Sequence, residues 1–283
     1  MKHPFPLLNP FIVLPLSLLA GCSNSSAPSE AEQRVIDHTL NSLVFVEGGT
    51  FIMGHPQVTD TVEVTLDSYS IQAYEVSYWE FDTFTRATGR PFLNEEAMGE
   101  ALREPNNAAW RVTWNDAQGY CQWLGKRTGL PIQLPTEAQW EYAATSRGSS
   151  RAFYATDDGT MDRGRNYRDT RRNGTPWHPE PSGTYPSNLL GMYDMTGNVT
   201  EWVLDWHDKN YYEKSPGVNP QGPETGTTKV HRGGGVVGTQ RYNVLYRRSP
   251  GLKPDDNQGG VRCAVNRTDD IGASVSTQGH KIN

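Results

Sequence analysis

Gly191-Met192-Tyr193-Asp194-Met195-Thr196-Gly197-Asn198-Val199-Thr200-Glu201-Trp202 is the stretch on which the reading of this chain turns. It crowds apolar residues, two carboxylates, two glycines and a tryptophan together, and neither helical nor strand periodicity accounts for it. Gly197-Asn198 reads as a tight turn, because both residues tolerate positive φ. Asp194 and Glu201 flank that turn. A turn that gathers carboxylates and main-chain carbonyls offers the hard oxygen ligands that Ca²⁺ takes. The spacing is not that of a helix–loop–helix calcium site, so the alternative is a turn between two core segments with solvated acids.

Further motifs lie on either side. Phe45-Val46-Glu47-Gly48-Gly49-Thr50-Phe51-Ile52-Met53-Gly54 comes early, and Leu134-Pro135-Thr136-Glu137-Ala138-Gln139-Trp140-Glu141-Tyr142-Ala143-Ala144 sits mid-chain. Arg232-Gly233-Gly234-Gly235 follows the turn, and Gly260-Val261-Arg262-Cys263 comes last. Together and in this order they resemble the formylglycine-generating enzyme (sulfatase-modifying factor) family, over roughly residues 43 to 266. The resemblance implies an α+β, irregular, loop-rich single domain of C-type-lectin-like fold.

The 283 residues suffice for a large buried core. Eight Trp, 13 Tyr and eight Phe, with 28 Gly and 19 Pro, suit a loop-rich fold built on aromatic packing units. The net charge is −6 and no basic stripe exists, which argues against a nucleic-acid partner. Seven scattered histidines form no metal-spaced pair, which argues against zinc or a three-histidine iron site.

Residues 1–21 read as a targeting segment. Lys2 opens it, and the apolar run 5–20 is short and broken by Pro6, Pro10 and Pro15. It ends in Leu19-Ala20-Gly21-Cys22, which resembles the bacterial lipobox. Cleavage would leave an acylated Cys22 as the membrane anchor. Ser at position 23, rather than Asp, implies the outer membrane by the usual sorting pattern, with the protein facing the periplasm. Residues 22–42 then read as a Ser/Ala/Pro-rich tether and a short helix over 30–43. Residues 267–283 read as a flexible tail.

Within the domain, 44–54 and 62–70 are predicted strands. Ser77 caps a helix, with Glu80 completing a capping box. A second helix spans 115–126, capped by Asn115 or Asp116, and a third spans 136–144, capped by Thr136 with Gln139 three residues on. Trp140 is read as core. Residues 147–188 are read as a long ordered loop.

The resemblance also implies functional sites. Calcium falls on Asp194, Gly197, Val199 and Glu201, with a weaker site at Asn166 and Tyr167. Cys121 and Cys263 match a pair that is bridged in better-studied members. Family enzymes oxidise a substrate cysteine using Cu(I) held by two thiolates, which oxygen or amide groups cannot replace. Aligned from the glycines, those thiolates fall on Gly238 and Asn243, the active-site Ser on Gly235, the His on Thr239 and a Trp on Thr200. Tyr242 alone survives. The expectation is a copper-free, open cleft lined by Thr200, Arg232, Gly235, Gly238, Thr239, Tyr242 and Asn243. It would serve a lipid-anchored, non-catalytic binding or accessory module with a protein or peptide partner in the envelope. The alternative is an oxidoreductase or maturation enzyme with a rebuilt pocket.

Overall fold

The computed structural model describes residues 27–93, 103–167, 178–235, 243–246 and 251–266. Residues 1–21, read above as a targeting segment, Cys22, and residues 267–283, read as a tail, lie outside the described residues. The first element is helix α1 (Glu30–Asn41), held by reciprocal bonds between Ser29 and Glu32. Its Val35 and Ile36 are buried, so the helix packs into the body.

The run 44–54 is not one strand. It divides into β1 (Leu43–Val46) and β2 (Gly49–Met53) at Glu47-Gly48. Gly48 passes so close to another turn that a Cβ there would lie 2.4 Å from the Leu66 carbonyl oxygen, and its amide donates to Ser68 Oγ. The run 62–70 divides likewise, into β3 (Val62–Leu66) and β4 (Tyr69–Gln72). The two breaks face each other, so β1 pairs with β4 in one sheet and β2 with β3 in another. Alternating apolar residues predict strand character but not where a chain changes sheets.

Helix α2 (Tyr78–Thr88) starts at Ser77, as the sequence indicates. Glu80 Oε2 accepts both the Ser77 amide (2.8 Å) and the Ser77 hydroxyl. Gly89, at φ 67°, ends it in the left-handed conformation that glycine adopts without a Cβ penalty. Helix α3 (Trp114–Thr128) starts earlier than expected, because Thr113 rather than Asn115 or Asp116 caps it, accepting from the Asp116 amide. Strand β5 (Ile132–Gln133) leads to α4 (Glu137–Ala144), where Thr136 and Gln139 form the expected capping box. Strand β6 (Glu201–Trp206), the short α5 (Tyr211–Lys214), β7 (Lys229–Arg232) and β8 (Ala264–Val265) complete the order. The described parts of 147–188 carry no helix or strand.

The main sheet runs β1-β4-β8-β5, all antiparallel, and β6-β7 form a separate ribbon. Two hydrophobic clusters flank β6. Val203 joins one with Trp140, Tyr142 and Phe51, while Trp202 joins the other with the α1, α2 and α3 residues. Only Glu201 and Trp202 of the key stretch belong to β6; residues 191–200 carry no helix or strand, which is why that stretch shows neither periodicity. Cys121 and Cys263 are joined by a disulfide with a Cα–Cα distance of 5.7 Å, tying α3 to the residue before β8.

Candidate functional site

The turn forms as read, with Gly197 at φ 99° and Asn198 at φ 52°. Gly197 is required sterically as well: a Cβ would stand 2.3 Å from the Tyr167 ring. The Gly197 amide donates to the Gly233 carbonyl, and Glu201 pairs with Arg232 across the β6–β7 ribbon. The turn and the Arg-Gly-Gly-Gly segment are therefore one structure.

Beneath it lies a buried charge cluster. Glu201 is fully enclosed. Its Oε2 accepts from Trp140 Nε1 (2.7 Å) and Arg262 Nε (2.8 Å), and its Oε1 from Arg262 Nη2 (2.7 Å). Glu75 accepts from the Asn198 side-chain amide and the Val199 amide, clamping the turn from the other side. Asp194, itself at φ 57°, takes the Ser182 hydroxyl (2.9 Å) and the Gly183 amide (2.7 Å) on Oδ2. Burial pushes the Glu75 carboxyl well above the ordinary range, and Asp194 and Glu201 push it further. Burial also raises Asp194, against the pull of its two donors.

Three acids thus face one guanidinium. Burial favours the neutral forms of Glu75 and Asp194, and a divalent cation beside them would favour the ionised ones. Oε1 of Glu201 has one donor and Oδ1 of Asp194 has none among the described residues, so each carboxylate keeps acceptor capacity. No three His, Cys, Asp or Glu side chains converge among the described residues to hold a metal unaided. A calcium shell here must draw on main-chain oxygens, as the reading of Gly197 and Val199 supposed. In charge and donor type the set fits Ca²⁺.

The weaker site does not fit. Asn166 Nδ2 donates to Asp157, Asp158 and the Thr160 carbonyl, while its Oδ1 takes the Asp162 amide. Arg165 bridges all three aspartates and supplies the positive charge. The Tyr167 hydroxyl meets the Asn243 side-chain amide. The loop is closed by its own arginine.

The cleft also needs correction. Arg232 is 1 % exposed and donates to Glu137 Oε1 (2.8 Å), Glu141 Oε2 (2.5 Å) and the Leu245 carbonyl (2.8 Å). Burial works against its charge, but Glu141 and Glu137 outweigh that and raise its pKa. It is a core cation and lines no cleft. Asn243 is fully buried, its Oδ1 accepting from the Gly235 amide (3.1 Å). Thr200 and Gly235 do face each other: a Cβ on Gly235 would sit 3.5 Å from Thr200 Cγ2. The Thr200 hydroxyl donates to the Gln258 carbonyl. Gly238, Thr239 and Tyr242 lie outside the described residues.

Sequence reasoning missed Glu75, Glu137 and Glu141 as charge partners. The signal was present, since each is a carboxylate inside an otherwise apolar segment, and 137 and 141 share one helix face.

These features define a loop-rich α+β domain of the formylglycine-generating type whose two described cysteines are spent on one disulfide. The match to the sulfatase-modifying factor enzyme 1-like domain covers residues 28–267, and the chain belongs to that family. The formylglycine-generating enzyme of Streptomyces coelicolor is 38 % identical over 185 residues, covering 60 % of this chain and 56 % of that protein. This chain therefore spans about half of that relative's length. A serine/threonine-protein kinase pkn1 of Chlamydia pneumoniae is 31 % identical over 84 % of this chain but only 40 % of its own length. Among solved structures, PvdO from Pseudomonas aeruginosa superposes with a TM-score of 0.66 at 25 % identity, over 80 % of this chain and 94 % of that one.

Proposed function

We propose that this protein is a lipid-anchored, non-catalytic binding or accessory module of the bacterial cell envelope, held at the outer membrane and facing the periplasm. One observation carries the non-catalytic part. Cys121 and Cys263 are bonded to each other, and Asn243, at a copper-thiolate position, is buried with its amide engaged by Gly235 and Tyr167. No pair of thiolates is left to hold Cu(I), and an amide is too hard a ligand to substitute. The ligand surface is the Thr200–Gly235 face, where small residues replace a Trp and a Ser. A calcium ion held by Asp194, Glu201 and the main chain at Gly197 and Val199 would supply charge balance to the turn and no chemistry.

The test supplies purified protein with Cu(I), oxygen and a Cys-x-Pro-x-Arg peptide, and reads conversion of the cysteine by mass spectrometry. The expected result is none above a no-enzyme control; turnover refutes the reading. The anchoring is tested separately by palmitate labelling, which Cys22→Ala should abolish. An unlabelled, soluble wild type removes the membrane from the proposal.

A further inference from the structure

Helices α1 and α2 lie side by side, and a groove of about 440 Å³ runs between them and the 105–106 loop. Arg34, Trp79, Asp82, Arg86, Pro105 and Asn106 line it. The volume falls within the range of ordinary ligand sites. None of the residues of the Thr200–Gly235 face contributes.

Among the described residues the charges of this groove are unbalanced. Its acid, Asp82, is taken by Arg103. Arg34 and Arg86 are exposed and have no carboxylate partner among the described residues, although the exposed Glu30 lies one helical turn before Arg34. Each is instead held against a ring: the Arg34 Cζ is 5.7 Å from the centre of Trp79, and the Arg86 Cζ is 4.9 Å from that of Phe92. A guanidinium held near a ring keeps N–H donors, which match a carboxylate. Two exposed arginines and a half-buried indole lining one groove describe a receptor for carboxylates beside an apolar side chain.

We propose that this groove receives an acidic peptide segment of a partner protein, with carboxylates on Arg34 and Arg86 and an apolar residue against Trp79. A lipid surface fits less well, because the arginines line a concave channel that a bilayer cannot enter.

The test is fluorescence anisotropy of the full chain with fluorescein-labelled Asp-Glu-Leu-Glu-Asp and with its amide analogue Asn-Gln-Leu-Gln-Asn. The acidic peptide should bind at least tenfold more tightly than the analogue and weaken with salt. Arg34→Ala/Arg86→Ala should cost at least tenfold while leaving circular dichroism and melting temperature unchanged, since both side chains are exposed. Equal binding of the two peptides, no binding of the acidic one, or full retention by the double variant overturns the proposal. Loss of binding by the variant only to phosphatidylglycerol–phosphatidylcholine vesicles also overturns it and makes the groove a lipid site. None of these outcomes depends on the copper assay.

Discussion

Removing the disulfide should destabilise this protein more than any other two-atom change. The bridge joins residues 142 apart in sequence. In the loop-entropy treatment a closed loop of that length restricts the unfolded chain by about 5 kcal/mol at 25 °C. For a chain of this size 1 kcal/mol moves the melting temperature by roughly 2–4 °C, so Cys121→Ala/Cys263→Ala should melt about 10–20 °C lower. Both sulfurs are buried, so a small packing loss adds to the entropic one. The bridge also fixes the residue next to Arg262, whose guanidinium neutralises Glu201. The assay is differential scanning calorimetry of the double variant, with thiol alkylation and mass measurement of the wild type to establish the bonded state. Alkylation of both cysteines in the native, unreduced protein refutes the pairing. A bonded wild type that melts within 2–3 °C of the double variant refutes the energetic argument, and leaves the unfolded ensemble already compact around this loop.

Arg262→Met should cost about 3–5 kcal/mol, because it leaves Glu201 buried without its cation; Glu201→Gln added to it should recover part of that loss in a double-mutant cycle, and strict additivity would sink the pairing. Chelator should lower the melting temperature and Ca²⁺ restore it, with about 2.7 kcal/mol gained at a hundredfold excess over the dissociation constant; an unmoved transition and no calcium by elemental analysis reduce the site to a turn. His38 on α1 binds Glu80 on α2 at 3.0 Å, and that bond raises its pKa above the usual histidine value. A raised folded-state pKa means the contribution is complete below about pH 6.5 and is lost as pH climbs through the folded value. Protection factors of α1 amides, corrected for the base-catalysed intrinsic rate, should therefore be lower at pH 8 than at pH 6, and His38→Gln should remove that difference.

The capping residues Ser77, Thr136 and Gln139 were legible because a helix start is a local event: one hydroxyl or amide reaches a backbone group three residues away. Thr113 was missed because Asn115 and Asp116 are equally good caps, and only the chain path before them decides. The splits at Glu47-Gly48 and Asp67-Ser68 were invisible for the opposite reason, since each exists to let the other turn pass. The buried charges divide in the same way. Cys121 with Cys263 and Glu201 as a site residue could be marked from motifs, but that Glu201 meets Arg262 is a fact about residues 61 apart, and Arg232 looked like a cleft cation for want of knowledge of Glu137 and Glu141.

The burial of Arg232 belongs to a wider pattern. Arg232, Glu137, Glu141, Trp140, Glu201 and Arg262 are the residues by which the family is recognised, and here every one is almost wholly buried and bonded to another of the set or to the main chain. Removing any one strands a buried charge or a cavity, so stability alone is enough to hold them. Asn243 is likewise buried, with one bond accepted from the Gly235 amide and one donated to the Tyr167 hydroxyl. The scaffold residues are bound into the core by one another, and each is a residue that folding itself needs.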